Sequence, residues 1–529
     1  MESHTGLTGA DYAVIAVYII GIVLLGTYAG RRQKNTEDFL LAGRSMRWWP
    51  IAISLFAAFF SSISYIAIPG EAFNYGTTMY LYMFFLILPL PVALLFFLKL
   101  FYRLRLWTAY EYLERRFHVG LRICGSSIFL VTRCVYLGVA LYATALLLEP
   151  AVGWPLWFSI ILIGAVGTVY AGFGGLKGVI WTDVAQFVIL VGGVLAIIIF
   201  IICRLPNGVA DIWHVAGETN HGFNIGWDSG FWDFNFMQRI TVWAWLIGVL
   251  PNCIAPATDQ VNLQLCLACR NYRSLAMSMI GSSVGGLPVV FIFYIAGLAL
   301  LAYVRILGQG TPLAEISQGD KAYTYFITHI MPVGLRGLII AGLLSAVMST
   351  VVSVINSLAT VTVKDIYQRV VAPGRGERHY LAAAKLMTGG WGMIAVAAGC
   401  LIAWICSAYQ VSLLEISNIC LGIFSGILLG LFALGLLNPR SNSFGAWCGI
   451  FCGSGVTLFV TYYFFLRCPV AERISFLWLG VLAPVSVFVI GSILCFCRPR
   501  GEERTELVIW KNPLLNYRDV FEKKERMKG

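Results

Sequence analysis

Apolar runs bounded by charged residues or by Gly, Pro and Asn turns succeed one another along the chain. A helix needs roughly 20 apolar residues to cross a bilayer. About thirteen runs reach that length, at 11–30, 47–69, 77–101, 121–148, 155–172, 179–203, 236–262, 277–303, 335–363, 383–406, 411–437, 443–465 and 473–497. Barrel strands would alternate over about ten residues, and these runs do not. The pattern predicts an all-α polytopic membrane protein.

Composition agrees. Of 529 residues, 59% are hydrophobic and 12% charged, against about a quarter charged in a soluble domain; the mean hydropathy is +0.80. A soluble enzyme, a nucleic-acid-binding domain and a secreted disulfide scaffold are excluded. The net charge of +11 becomes informative when distributed over loops, because Lys and Arg concentrate on the cytoplasmic side. An outside N-terminus puts Arg31, Arg32, Lys34, Arg44 and Arg47 in the first cytoplasmic loop and Arg103, Arg105, Arg115 and Arg116 in the second. Lys364, Arg369, Arg375, Arg378 and Lys385 fall in a later one, while 70–76, 149–154 and 407–410 carry neither Lys nor Arg. The expectation is a multi-pass protein of the plasma membrane, or of a bacterial inner membrane, with its N-terminus outside and C-terminus cytoplasmic.

The fourteen cysteines sit mostly inside apolar runs, as Cys134, Cys203, Cys400 and Cys420 do, where a thiol acts as a small hydrophobe. Cys266 with Cys269 and Cys495 with Cys497 lack a second pair at zinc spacing, so neither a disulfide framework nor a structural metal is expected. The N-terminus lacks a basic signal region, and the first run is read as a retained transmembrane helix. Two outer segments, 204–235 and 304–334, are long for connections. The first is rich in Trp and either packs over the outer vestibule or lies at the interface on its Trp anchors. The tail 498–529 alternates basic and acidic residues around Val508, Trp510, Leu514 and Leu515 and reads as solvated or surface-lying.

No P-loop and no H-E-x-x-H occurs, and all six histidines lie in loops or at span ends. No enzymatic function is expected; an ion gradient is the available energy source. Charges inside apolar runs are costly and point to function. Asp183, early in the sixth run, suits an ion pathway or caps its helix. Arg133, in the middle of the fourth, is a solute counter-charge or the partner of a carboxylate or carbonyl in the bundle. Two runs look interrupted: the second at Ala57-Ala58-Phe59-Phe60-Ser61-Ser62-Ile63-Ser64, and the seventh at Pro251-Asn252-Cys253-Ile254-Ala255-Pro256. Broken helices free carbonyls for a cation, although kinks healed by neighbouring helices read the same way. In the ninth run Ala346, Ser349, Thr350, Ser353, Asn356, Ser357 and Thr360 recur at spacings of three and four. That small polar stripe suits close helix packing or a hard cation.

Four further pieces complete a recognisable pattern: Ser54-Leu55-Phe56-Ala57-Ala58 with Ile68-Pro69-Gly70; Thr108-Ala109-Tyr110-Glu111-Tyr112-Leu113-Glu114-Arg115-Arg116-Phe117; Gly174-Gly175-Leu176 with Trp181-Thr182-Asp183; and Asn356-Ser357 with Asp365-Ile366-Tyr367. In this order they make the chain resemble the sodium/solute symporter family from Asp11 to about Arg440, with local likeness to its bacterial sialic acid symporters. The resemblance implies a leucine-transporter-like core of two inverted five-helix repeats, at 47–203 and 236–437. An extra helix and first cytoplasmic loop (1–46) precede it, an extracellular loop (204–235) divides it, and two additional helices (438–497) and a cytoplasmic basic tail (498–529) follow. It implies sodium as the coupling ion, no other cofactor, and no partner beyond solute and lipid. The implied sodium ligands are the carbonyls of Ala57, Phe60 and Ala346 and the hydroxyls of Ser349 and Thr350. Asp183 would lie on the release path, with Ser353 in a possible second site. Val352 stands there where a hydroxyl is expected, which favours one coupled sodium.

The implied solute positions are Phe59, Ser61, Ser64, Met79, Met83, Arg133, Tyr136 and Asn252. Tyr136 stands where sialic acid symporters carry a carboxylate-binding arginine, with Arg133 one turn earlier; Phe59 and Met83 replace a threonine and a glutamine. Loss of a bidentate arginine normally changes specificity, and the more aromatic pocket suits a neutral sugar or a smaller organic anion. The function expected is sodium-coupled import of a small polar solute (sugar, sugar acid or small carboxylate) by alternating access. The alternatives are a solute sensor, for which the tail is too short to form a signalling domain, and a passive channel, for which no filter sequence is present.

Overall fold

A computed structural model describes residues 7–31, 33–222, 258–409, 413–463 and 479–497, with short pieces at 232–233, 241–243, 245–246 and 507–508. Among these residues every regular element is a helix. In chain order they are α1 (Gly9–Gly30), α2 (Thr36–Leu41), α3 (Trp48–Phe59), α4 (Ser62–Tyr75), α5 (Thr78–Arg103), α6 (Glu111–Arg116), α7 (Val119–Val152), α8 (Leu156–Ile202) and α9 (Val209–Glu218). Then follow α10 (Gln260–Leu267), α11 (Tyr272–Ile306), α12 (Gly319–Tyr325), α13 (Leu335–Val371), α14 (Glu377–Tyr409), α15 (Leu413–Leu437), α16 (Ser443–Thr461) and α17 (Leu479–Leu494). Nine helices among the described residues are long and apolar enough to cross a membrane, or ten with α3 and α4 counted as one bent span.

That number falls short of the thirteen apolar runs for identifiable reasons. The seventh run lies largely outside the described residues, and in α15 only Ser425–Leu437 is counted, as a shorter apolar helix. The third reason is α8, whose 47 residues would rise about 70 Å as one straight helix, more than twice the apolar thickness of a bilayer. It does not run straight. Tyr170 and Gln186 hydrogen-bond at 3.4 Å, although sixteen residues of helix would separate them by about 24 Å. The chain doubles back at Gly175, whose φ of 54° and ψ of −166° fall in a region essentially reserved for glycine. Gly26 of α1 faces both arms, at Tyr170 and at Thr182.

α13 is the centre of the bundle. Every residue from Ile339 to Val361 is buried, as an all-round apolar or small-residue helix should be, and α1, α3, α7, α8 and α14 pack on it. Polar tethers fix its surroundings. The buried Asp11 carboxylate accepts from the Thr8 amide and hydroxyl at 3.0 and 2.8 Å and from the Gly334 and Gly337 amides at 2.7 and 3.1 Å. The last two amides stand at the N-terminus of α13, where the helix itself offers them no partner and its dipole also favours an anion. Arg116 does the converse at the C-terminal end of α15, donating to the Gly435 carbonyl (3.2 Å) and to the Ser441 carbonyl and hydroxyl (3.2 and 2.8 Å). Of the tail, Leu507 and Val508 are described; the Leu507 carbonyl accepts from the Tyr112 hydroxyl at 3.4 Å, and Val508 is buried.

α3 and α4 meet at 72°. The helix stops because Phe60 adopts an extended ψ of 94° and Ser61 restarts it as N-cap, its hydroxyl accepting from the Ser64 amide. α12 covers the far end of α4: the Gly319 and Gly70 backbones approach so closely that a side chain at Gly319 would strike the Gly70 carbonyl. The Gly319 amide also donates to Asn74 Oδ1 at 3.1 Å.

Candidate ion and solute site

The break after α3 faces the middle of α13. With the helix ended, the Ala57 carbonyl is free of the usual i+4 amide and instead accepts from Ser349 Oγ at 3.1 Å. Ser349 Oγ also lies 3.2 Å from the Ala346 carbonyl, and Thr350 Oγ1 lies 3.1 Å from it. All four residues are buried. A hard cation about 2.4 Å from each oxygen sets neighbouring oxygens about 3.4 Å apart in an octahedral shell. The three separations among these oxygens, 3.1 to 3.2 Å, lie slightly below that spacing, and oxygen-only donors do not suit zinc or copper. Phe60 sits at the break, buried, with its ring 5.4 Å from Phe56 and 4.6 Å from Phe293.

Asp183 lies on the second arm of α8, fully buried, eight residues past the Gly175 turn. That depth sets aside the helix-cap reading, since a cap serves the first turn. Ser54 donates to its Oδ2, while Oδ1 has no hydrogen-bond partner; the Ser353 hydroxyl on α13 is also buried without one. Gln186, three residues on, joins Tyr18 (3.3 Å) and Tyr170, and Tyr170 donates to the Met348 carbonyl at 3.3 Å. A buried polar cluster thus lies between α1, α3, α8 and α13. Val352 faces Gly167 on the first arm of α8.

On the other side of the break a cavity of about 340 Å³ opens, and Phe59, Phe60, Ser64 and Met83 line it. Four expected solute residues are not in its wall, Arg133 among them; Ser61 caps α4, Met79 packs beside Trp245, and Tyr136 lies under the Arg133 guanidinium at 5.3 Å. Asn252 lies outside the described residues. Arg133 does not reach the cavity as a counter-charge. It forms an ion pair with Asp259, which also caps α10 and accepts from Asn262 Nδ2 at 3.1 Å. Of its two sequence readings, the structure shows the pairing within the bundle.

A second polar network closes the end of α13. Asp365 is fully buried and accepts from Arg122 Nη2 and Nε at 2.5 and 2.9 Å, from Thr108 at 2.6 Å and from Ser126 at 2.9 Å. Arg122 also pairs with Glu114 at 2.6 Å, and Arg369 donates to the other Glu114 oxygen at 2.5 Å. Burial pushes the Glu114 carboxyl up, but the guanidinium groups of Arg369 and Arg122 outweigh it and hold the group below the usual carboxylate range. Gln264 donates to the Leu40 carbonyl (2.6 Å) and Asn356 Oδ1 (2.7 Å), and Gln260 bridges the Trp107 carbonyl and Ala109 amide. The network ties α2, α6, α7 and α10 to α13.

The sequence matches the sodium:solute symporter family over residues 39–453. The chain belongs to that family. It is 32% identical over 474 residues to human sodium-coupled monocarboxylate transporter 1, covering 88% of this chain and 75% of that one. It is 28% identical over 484 residues to the Proteus mirabilis sodium/sialic acid symporter SiaT, covering 91% and 94%. The solved outward-open, substrate-bound structure of a Na⁺-coupled sialic acid symporter superposes with a TM-score of 0.82 at 26% identity, covering 94% of this chain and 99% of that one. Mhp1, a nucleobase-cation-symport-1 family transporter, shares the fold at a TM-score of 0.51 and 14% identity, covering 90% and 99%.

For a sodium:solute symporter, the residues that sequence reasoning overlooked are as informative as those it found. Ser54 belongs to the Ser54-Leu55-Phe56-Ala57-Ala58 motif, yet nothing local marks it as the donor to Asp183. Asp259 was the signal for the partner of Arg133: an acid in a broken apolar run needs a cation as much as the arginine needs an anion. Asn262 and Gln264 carried no signal, because their roles depend on which faces of α10 meet the cavity and α13.

Proposed function

We propose that the protein imports a small organic solute with sodium by alternating access, and that the ion is held by Ala57, Phe60, Ala346, Ser349 and Thr350. The observation that carries this reading is the 3.1 Å approach of Ser349 Oγ to the Ala57 carbonyl across a helix break. The family's sodium-coupled relatives support it. The reading retains thirteen spans in two inverted repeats. The N-terminus is outside, and the Asp365 end faces the cytoplasm, because Arg44, Arg105, Arg369 and Lys364 lie there. With that end closed, solute enters from outside. Sodium between α3 and α13 would draw the broken helix onto the bundle and complete the wall of the cavity formed by Phe59 and Phe60. Release toward Asp183 and the cytoplasm would loosen both. Val352 removes an oxygen from the second site, so one ion per cycle is the expected stoichiometry.

Thermal unfolding of the purified protein in sodium and in potassium tests the ion site. Sodium should stabilise the wild type selectively, and Ser349→Ala with Thr350→Val should raise the sodium concentration needed by at least about tenfold. An unchanged sodium dependence in that variant rejects the site.

A further inference from the structure

The cavity's unspent polar atoms indicate which kind of solute it takes. Its wall is mainly aliphatic and aromatic, with Phe56 and Phe59 from α3 and Met83 from α5; the polar residues in it are Ser64, Asn262, Ser282 and Ser283. No charged residue lines it among the described residues. The one arginine that sequence offered, Arg133, is spent on Asp259.

Three residues in the wall carry a polar atom without a partner among the described residues, while the Ser64 hydroxyl already meets Ser61 Oγ at 3.3 Å. Asn262 donates its Nδ2 to Asp259 Oδ2 at 3.1 Å, which orients the amide and leaves Oδ1 as an acceptor; Oδ1 is buried without a partner. The Ser282 and Ser283 hydroxyls on α11 form no hydrogen bond among the described residues. Helix-embedded serines commonly bond back to the preceding turn, as Ser278 does to Leu275, so these two hydroxyls remain available to a ligand. A sugar or sugar acid carries a hydroxyl on nearly every carbon, and each must find a partner when it leaves water. Among the described residues the wall offers four polar side chains, too few for that.

We propose that the solute is a compact amphipath: an aliphatic or aromatic body packed against Phe56, Phe59 and Met83, with a single polar end held by Asn262 Oδ1 and the Ser282 and Ser283 hydroxyls. The inference rests on the cavity being the solute site of the symporter. It narrows the solute class away from the polyhydroxylated compounds that a sialic acid symporter carries.

The test is thermal unfolding of the full-length purified protein with benzoate, benzamide, hexanoate, glucose or N-acetylneuraminate, each at about 20 mM, in sodium and in potassium. Benzamide should raise the midpoint by several degrees in sodium, while glucose and N-acetylneuraminate leave it within about one degree. Benzoate and benzamide share a body, but only the benzamide N–H can donate to Asn262 Oδ1, so benzamide should give the larger shift, and a shift with benzoate that benzamide does not match overturns the role of Asn262. Ser282→Ala with Ser283→Ala should at least halve the shift, and Ser282→Thr with Ser283→Thr, which keeps both hydroxyls, should retain it. A larger response to glucose or N-acetylneuraminate, no response to benzamide, or an undiminished shift in the alanine variant overturns the class. If the amphipaths bind equally in sodium and potassium, and sodium alone has no effect, the class stands and sodium coupling is what fails.

Discussion

Replacing Arg122 with Met tests whether the network at the end of α13 holds that end shut. Asp365 is fully buried and receives two hydrogen bonds from Arg122, at 2.5 and 2.9 Å, with Thr108 and Ser126 supplying the rest. Methionine keeps the apolar stem and removes the charge. Breaking one partner of a buried ion pair costs about 3–5 kcal/mol, because the remaining charge is uncompensated. The two hydroxyls remain, so the lower end, about 3 kcal/mol, is expected. The penalty falls on the closed arrangement, since opening lets water reach Asp365. About 3 kcal/mol shifts the closed-to-open ratio roughly a hundredfold. Hydrogen–deuterium exchange of peptides spanning 104–118 and 260–267 should therefore accelerate by up to about a hundredfold in Arg122→Met. Arg122→Met with Asp365→Asn, which removes the stranded charge, should recover much of the protection. Unchanged exchange in the single variant, or no recovery in the double, refutes the reasoning.

Two further outcomes follow from the same structure. Glu114 is held below its usual value of 4.5, and a depressed carboxyl contributes stability that is present above its unfolded pKa and lost as pH falls through the folded one. Protection of 104–118 should thus stay level from about pH 8 to 5 and fall below about 4.5, and Glu114→Gln should flatten that fall; an identical acid response in Glu114→Gln contradicts it. At Gly175, a Cβ would meet Gln33 Nε2 at 2.7 Å and the Phe39 carbonyl at 2.8 Å, in a backbone region that itself costs other residues about 1–3 kcal/mol. Gly175→Ala should lower the unfolding midpoint clearly, and an unchanged midpoint would show that the turn in α8 does not depend on glycine.

Spans were legible because the bilayer writes its requirement locally, in runs of apolar residues. The Ser349 and Thr350 hydroxyls were legible because a helix repeats its face at three and four residues, and Asp183 because a charge in an apolar run is conspicuous. What pairs with what was not legible. Arg133 meets Asp259 across 126 positions of sequence and Asp365 meets Arg122 across 243, and no local periodicity encodes such partners. Ser61 has the right chemistry for a solute ligand but serves the break itself as the cap of α4. Thr108, Arg116 and Asp365 entered as marks of resemblance. The structure supplies their physics: two belong to one buried network, and Arg116 closes the end of α15.

The central claim is that a sodium gradient drives solute movement. Proteoliposomes containing the purified protein, offered the labelled compound that stabilises it most, decide it. The account predicts accumulation above the external concentration with an inward sodium gradient, and simple equilibration when sodium is equal on both sides. Equal uptake under the two conditions would contradict it.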